Sequence, residues 1–576
     1  MLRRYAAGFL AATVASCSSN QRTVLRCSTV ATEAASAFHG RVDKIGYVTD
    51  LEGDRRLWWK YAKLSKVLEV HPVTTSGGKN GDGRQTVSLK PNCHLVFGGD
   101  VNDQYDGDIE VIEELLKLKR KYPDRVHFIL GNRDLNKLRL IQELSAKHVK
   151  KYPWDETYPG TFWTKIFFPA LSPFEQVRSK GVDFVPSNNQ LVDRLRWILS
   201  CTMGSPNAFM NRYNELLRMK GGQGLSHDVV TANFIDNLKP NGIFSEYMQH
   251  AKLALIINDT LFVHGAVCTN SYGWVPETMD GVVDDASHSM DEGRNSERIR
   301  STDPFNWVNQ LNSFAKKGIY DCIHNGATND GEPWSFTGSY EAGNPCNNVM
   351  QYGMGWLPNG KRNRTIVYNQ WIVENDGAAN EINYPSKDIV DNLKKHKVSR
   401  ILCGHKPQGD APLVFANDAQ NFHVITADTS YSGRTEYRNG LNEATKEAFA
   451  AFREYDELYA ARALNSEKPN DISDLRHHCR RGFAVAEVLI DFSRQQHEHR
   501  NGNAENRGSV YIHGTLATGE AFEADMDTEP WIGQRTKDGK FIKGIRSNDG
   551  KFILSHSEGW KVYNEFHTRA DLEKML

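Results

Sequence analysis

Asp50, Glu52, Asp100, Asp103, Asn132, His264 and His405 are scattered along the chain, yet each sits close behind an apolar run. Asp50-Leu51-Glu52 follows Ile45-Gly46-Tyr47-Val48, and Gly99-Asp100-Val101-Asn102-Asp103 follows His94-Leu95-Val96-Phe97. Gly131-Asn132-Arg133-Asp134 follows Val126-His127-Phe128-Ile129-Leu130. His264-Gly265 follows Ala254-Leu255-Ile256-Ile257 and Leu261-Phe262-Val263, and Gly404-His405 follows Arg400-Ile401-Leu402-Cys403. Carboxylate oxygens, an amide oxygen and imidazole nitrogens are the donors that a pair of hard to borderline divalent ions needs. Asp100 is the candidate to bridge both ions. Asp50 and Glu52 would complete the first ion's protein ligands, and Asn132, His264 and His405 the second's. Two ions roughly 3.5–4 Å apart can hold a hydroxide between them and clamp the attacking and leaving oxygens of a phosphoryl group.

The elements between these residues must bring them together. Each apolar run reads as a strand, and loops at strand ends can converge on one edge of an open α/β sheet. Residues 55–68 and 108–121 read as helices, the second amphipathic. Residues 76–83 read as a Gly-rich loop. An insertion over 138–249 carries helical segments at 138–150, 188–202 and 208–220 and is expected to form a cap. A second insertion over 271–382 is rich in Gly, Asn, Asp and Trp and reads as largely irregular. Within it, Met350-Gln351-Tyr352-Gly353-Met354-Gly355-Trp356 is a candidate pocket-lining loop, since loops this long in a compact enzyme are functional or disordered. Residues 422–427 form a further strand, ending at Asp428. Residues 437–480 read as a helical insertion or linker, and 481–507 as a strand returning to the core. Residues 508–576 read as a small β-rich module, a possible docking surface for a protein partner.

The order and content of these motifs resemble the calcineurin-like metallophosphoesterase superfamily. The stretch from Gly99 to Leu138 is most similar to the phosphoprotein (serine/threonine) phosphatase branch, and the resemblance covers residues 44–433. It implies an α/β fold, a β-sandwich flanked by helices in α/β/β/α order, with residues 41–436 as its core. It also implies a hydrolase that uses two divalent metal ions on a phosphorylated substrate, protein or small molecule.

Two departures from that family stand out. Its first motif is Asp-x-His, where this chain has Asp50-Leu51-Glu52. Glutamate prefers harder ions, so the expected metals shift toward manganese or magnesium and away from iron or zinc. At position 133 the family has a His held by the Asp of the second motif, here Asp103, and that His protonates the leaving oxygen. Arg133 is a poor proton donor near neutral pH. It can still stabilise negative charge on the phosphoryl group. The dyad Asp103–Arg133 is thus expected to favour aryl-phosphate, phosphotyrosine or anhydride substrates over phosphoserine. Gln104 stands where the phosphatases have a phosphate-gripping Arg, so the cationic clamp would come from Arg133 itself or from Arg362 and Arg364. The last motif, Gly404-His405-Lys406-Pro407, offers one His.

Other clusters carry less chemistry. Ser226-His227-Asp228 are adjacent and cannot form a triad from one loop. His477-His478-Cys479 lacks zinc-site spacing, and no Cys-x-x-Cys occurs. Lys+Arg number 70 against 71 Asp+Glu, and a net charge of -1 gives no general attraction to nucleic acid or anionic membrane. Nine cysteines without a pairing pattern read as free thiols in a reducing compartment. Residues 1–40 are basic, Ser- and Ala-rich and almost free of acids, which suits a mitochondrial transit peptide, with a secretory signal as the alternative. No apolar run is long enough to span a bilayer. Two functions of different class follow: an active metal-dependent phosphatase, or a catalytically weak relative serving as a binding or assembly scaffold.

Overall fold

In the computed structural model the described residues are 41–74, 80–155, 157–167, 190–221, 224–276, 303–341, 343–374, 378–417, 421–430, 435–437, 483–493, 507–559 and 561–576, with single positions between them. The expected targeting segment 1–40 and nearly all of the expected helical linker 437–480 lie outside the described residues. In chain order the strands are β1 (Lys44–Val48), β2 (Leu68–Thr74), β3 (Asn80–Leu89), β4 (Cys93–Phe97), β5 (Val126–Ile129), β6 (Ala251–Lys252), β7 (Ala254–Ile257) and β8 (Thr260–Val263). Then follow β9 (Ile372–Val373), β10 (Glu381–Ile382), β11 (Arg400–Cys403), β12 (Leu413–Asn417), β13 (Phe422–Thr426) and β14 (Thr435–Tyr437). The last are β15 (Val485–Asp491), β16 (Ser509–Thr515), β17 (Ala521–Asp525), β18 (Phe541–Arg546), β19 (Phe552–Glu558) and β20 (Lys561–His567).

Alternation within the strands sets the layers, because successive side chains point to opposite faces. Tyr47 of β1, Val96 of β4, Phe262 of β8, Leu402 of β11, Ile425 of β13 and Val488 of β15 share one buried cluster between two sheets. The rings of Tyr47 and Phe262 stack across that interface with centroids 5.8 Å apart. Their neighbours Leu95, Phe97, Leu261, Val263, Ile401 and Cys403 face away and join a second cluster with the helices. The first sheet runs β14-β20-β19-β18-β17-β16-β15-β1-β4-β5-β6, and the second β12-β13-β11-β8-β7. The result is the α/β sandwich flanked by helices that the motif order implied.

Helix α1 (Arg55–Leu64) starts at Asp54, whose carboxylate accepts from the backbone N–H groups of Arg56 and Leu57. It ends earlier than the periodicity suggested, and β2 follows. Helix α2 (Asp108–Lys121) has the expected bounds, with acids in its first turn and bases in its last. Residues 80–83, expected in a loop, belong to β3, which pairs antiparallel with β2 as a hairpin. The second insertion is less irregular than its composition suggests. It contains the helix Pro304–Asn325, capped by Asp303 and burying Trp307, Leu311, Phe314, Ile319 and Cys322. That apolar stripe at helical spacing outweighs the Asn and Gly content.

β15 pairs antiparallel with β1. The β-rich segment after residue 508 does not form a sheet of its own. β16 to β20 continue the first sheet strand by strand, and residues 40–576 form one compact unit. Two cysteines depart from the free-thiol expectation: Cys322 and Cys346 form a disulfide between the helix Pro304–Asn325 and the helix Pro345–Tyr352. Cys93, Cys268 and Cys403 are free thiols. Among the described residues no helix is long and apolar enough to cross a membrane.

Candidate metal centre

Parallel pairing puts the ends of six strands along one edge. In the first sheet β1, β4 and β5 run parallel. In the second β8, β11 and β13 do. Just past these ends lie Asp50, Asp100, Asn132, His264, His405 and Asp428. The backbone there is unusual. Asp50, Glu52, Asp100, Asp103 and His405 have φ of 53°, 48°, 54°, 111° and 68°, in the region that non-glycine residues rarely adopt. Such strain concentrates at functional sites. Buried Asp134 holds two of the loops together, accepting from the N–H groups of Gly131 (2.8 Å), Asp100 (3.1 Å) and Val101 (3.1 Å). Gly131 has no room for a side chain, since a Cβ there would lie 2.0 Å from Asp100 Oδ1.

Asp100, Asn132, His264 and His405 converge. His264 Nε2 is 3.1 Å from Asn132 Oδ1 and 3.5 Å from Asp100 Oδ1. Asp100, His264 and His405 each offer a ligand atom, and these atoms all lie within 4.8 Å of one another. Donors roughly 2.0–2.2 Å from one ion would have such separations. His264 Nδ1 lies 2.8 Å from the Gly98 carbonyl, which leaves Nε2 to face the centre. Burial works against charge on both groups of the Asp100–His264 pair. For Asp100, the His264 charge and hydrogen bond, Arg133 and His405 outweigh burial and hold the carboxyl at about 2. For His264, the Asp100 carboxylate, Asp50 and the Gly98 carbonyl outweigh it and raise the imidazole to about 10. His405 is pushed down to about 3 by burial and by the nearby His264 and Arg133 cations. A cation in this pocket would replace the His264 proton, as metal binding to imidazole does.

The other side of the centre is arranged differently. Arg133 Nε lies 2.8 Å from Glu52 Oε1 and 3.5 Å from Asp100 Oδ2. Its backbone N–H donates to Asp100 Oδ1 at 2.9 Å, and its Nη1 donates to Ser205 Oγ at 3.2 Å. Asp103 Oδ2 is 3.8 Å from Arg133 Nη1 but 2.5 Å from Lys137 Nζ, and it also accepts from Ser205 Oγ at 3.0 Å. Asp50 Oδ2 accepts from Thr49 Oγ1 at 2.6 Å and from the His405 N–H at 3.1 Å. Burial, then the Asp428 carboxylate, push Asp50 well above the usual carboxylate range. Burial raises Glu52 too, against the pull of Arg133.

Arg362 is exposed and stacks over Trp356 at 4.0 Å, within electrostatic reach of Tyr368 and Lys406. Arg364 turns elsewhere, its guanidinium 5.9 Å from the Trp274 ring. Met350, Gln351 and Tyr352 of the expected pocket-lining loop end the helix Pro345–Tyr352, and the residues after them back the site through Gly355, whose Cβ would lie 2.4 Å from the Tyr368 ring. Tyr368 in turn packs edge-on against His405 with centroids 5.0 Å apart.

Sequence reasoning passed over Lys137, Ser205, Tyr368, Lys406 and Asp428. Asp428 carried the same signal as the ligands, an acid just past a strand that pairs beside β11. Lys137 lies one helical turn after Arg133, a spacing that puts both on one face. Ser205 and Tyr368 come from the two insertions and had no local signal.

No family model matches this sequence, and no curated protein does either. Among solved structures, the cold-active protein-tyrosine phosphatase of the psychrophile Shewanella sp. is similar at a TM-score of 0.34 and 9% identity, over 84% of this chain and 80% of that one. A protein serine/threonine phosphatase from Saccharomyces cerevisiae is similar at a TM-score of 0.24 and 12% identity, over 67% of each chain. Likenesses this distant carry no functional weight.

Proposed function

We propose that this chain is a metal-dependent phosphoester hydrolase. The observation that supports it is the convergence of Asp100, Asn132, His264 and His405 behind four strands of two packed sheets. The two imidazoles suit zinc or iron and the amide and carboxylate oxygens suit manganese, so manganese is tried first with zinc and iron beside it. When bound, such an ion supplies Lewis-acid chemistry, polarising a phosphoryl oxygen and making water nucleophilic near neutral pH.

The chain's own residues do the rest. Arg133 keeps a side-chain exposure of 16% and so remains reachable from solvent. It stabilises the charge that builds on the phosphoryl oxygens. Arg362, on the exposed side, attracts the phosphate dianion. Asp134 and the glycines hold the ligand loops so that little reorganisation accompanies the reaction. Water forms the new P–O bond, the ester P–O bond breaks, and the leaving oxygen departs with a proton from solvent. Phosphate and an alcohol or phenol are the products.

The test is turnover of an aryl phosphate with added manganese, beside an Asp100→Asn control. Metal-dependent turnover that disappears in the control is the expected result. Turnover indifferent to both chelator and the substitution would remove the proposal.

A further inference from the structure

We infer that the Arg133 guanidinium stands where one ion of a two-ion centre would sit, so that the chain binds a single divalent ion at Asp100, Asn132, His264 and His405. This rests on the metal-dependent reading and changes its stoichiometry. The carboxylates that the motifs assign to a first ion already have a cation. Glu52 Oε1 is 2.8 Å and Asp100 Oδ2 3.5 Å from Arg133 Nε. The guanidinium is fixed in place by Ser205 Oγ on Nη1, and the Arg133 backbone by Asp100 Oδ1. The remaining candidate, Asp50, has its Oδ2 committed to Thr49 Oγ1 and the His405 N–H.

The geometry of the donors agrees. Among the described residues, Asp100, His264 and His405 form a group of three whose ligand atoms come together, and neither Asp50 nor Glu52 is part of such a group. A divalent ion placed beside the guanidinium would face a like charge in a buried setting, where repulsion is little screened. The two departures from the family, Glu52 and Arg133, touch each other. They read as one exchange, an ion pair in place of two imidazoles. A guanidinium neutralises carboxylates and donates hydrogen bonds, but it cannot ionise water. His264 and His405 would then hold the ion that supplies an activated water.

Metal is counted on the full chain at equilibrium with manganese, by dialysis followed by elemental analysis. One ion per chain is expected, with the electron paramagnetic resonance of an isolated ion. Two ions, spin-coupled at a spacing of roughly 3.5–4 Å, would overturn the inference and leave the metal-dependent reading standing. No bound ion would overturn both. The double substitution Glu52→His with Arg133→His is expected to raise the count to two. A wild-type count of one that stays at one in that variant would show that Arg133 is not what excludes the other ion. The wild-type measurement decides the stoichiometry even where the variant fails to fold.

Discussion

Asp103 and Lys137 meet at 2.5 Å, with side-chain exposures of 1% and 5%. The carboxylate that motif order pairs with Arg133 is therefore neutralised first by a lysine one turn further on. Removing one partner of a buried ion pair strands the other, at about 3–5 kcal/mol. Ser205 and the more distant Arg133 remain near Asp103, so Lys137→Met is expected at the lower end, about 3 kcal/mol. Urea unfolding measures it. A loss below about 1 kcal/mol, the scale of an exposed pair, would mean the pair contributes no more than a surface contact.

Arg133 lacks a proton to give near neutral pH, and general-acid help is worth about 10²–10⁴-fold. Poor leaving groups suffer most from its absence. A phosphotyrosine peptide is expected to be hydrolysed at least about 10²-fold faster in kcat/KM than a phosphoserine peptide of the same sequence. Equal rates, or the reverse order, would show that another group protonates the leaving oxygen.

His94 and His127 lie side by side away from the centre, His94 buried and His127 half-buried, with His94 Nδ1 3.1 Å from His127 Nε2. Burial, then Arg125, lower His94 to about 4, and burial lowers His127 further still. Below the ordinary imidazole range the unfolded chain binds protons that the folded chain refuses. Stability from this pair is present above about pH 6.5 and is lost as pH falls toward 4. His94 alone accounts for a loss of roughly 2–3 kcal/mol by pH 4.5. Comparing urea midpoints across this range for the wild type and His94→Leu checks it. The variant should show a shallower acid slope, and identical slopes would exclude the pair as the cause.

Cys322 and Cys346 are 24 residues apart and join two helices of the second insertion. Closing a loop of this size in the unfolded chain is worth about 3 kcal/mol. Reductant should lower the unfolding midpoint of the wild type and leave Cys322→Ser unmoved. A reductant effect of the same size on both would place the sensitivity at another thiol.

Asp100, Asn132, His264 and His405 could be picked out along the chain because each couples a ligand-type side chain to the end of an apolar run, and both signals are local. The sandwich was implied by the family resemblance those motifs carry. The partners of Arg133 were not legible. Whether it turns to Asp103 or to Glu52 depends on Lys137, one turn away, and on Ser205, which reaches Asp103 only after an insertion folds back. The helix Pro304–Asn325 was hidden by its polar residues, although its buried stripe has the right period. The length of the first sheet was hidden for another reason. Short strands separated by turns say nothing about which sheet they extend.

β1, the strand that leads into Asp50, has β4 on one side and β15 on the other, with Lys44 opposite Asp491. A chain emerging from the ribosome meets its near partner early and its far partner only when synthesis is almost finished. Until then one edge of β1 offers unpaired backbone groups, the kind of edge that recruits other chains. Contacts so distant in sequence also form slowly. The loop carrying Asp50 and Glu52 therefore reaches its final support late. A message cut short between His405 and Val485 would yield a product holding all the candidate ligands on an unfinished sheet.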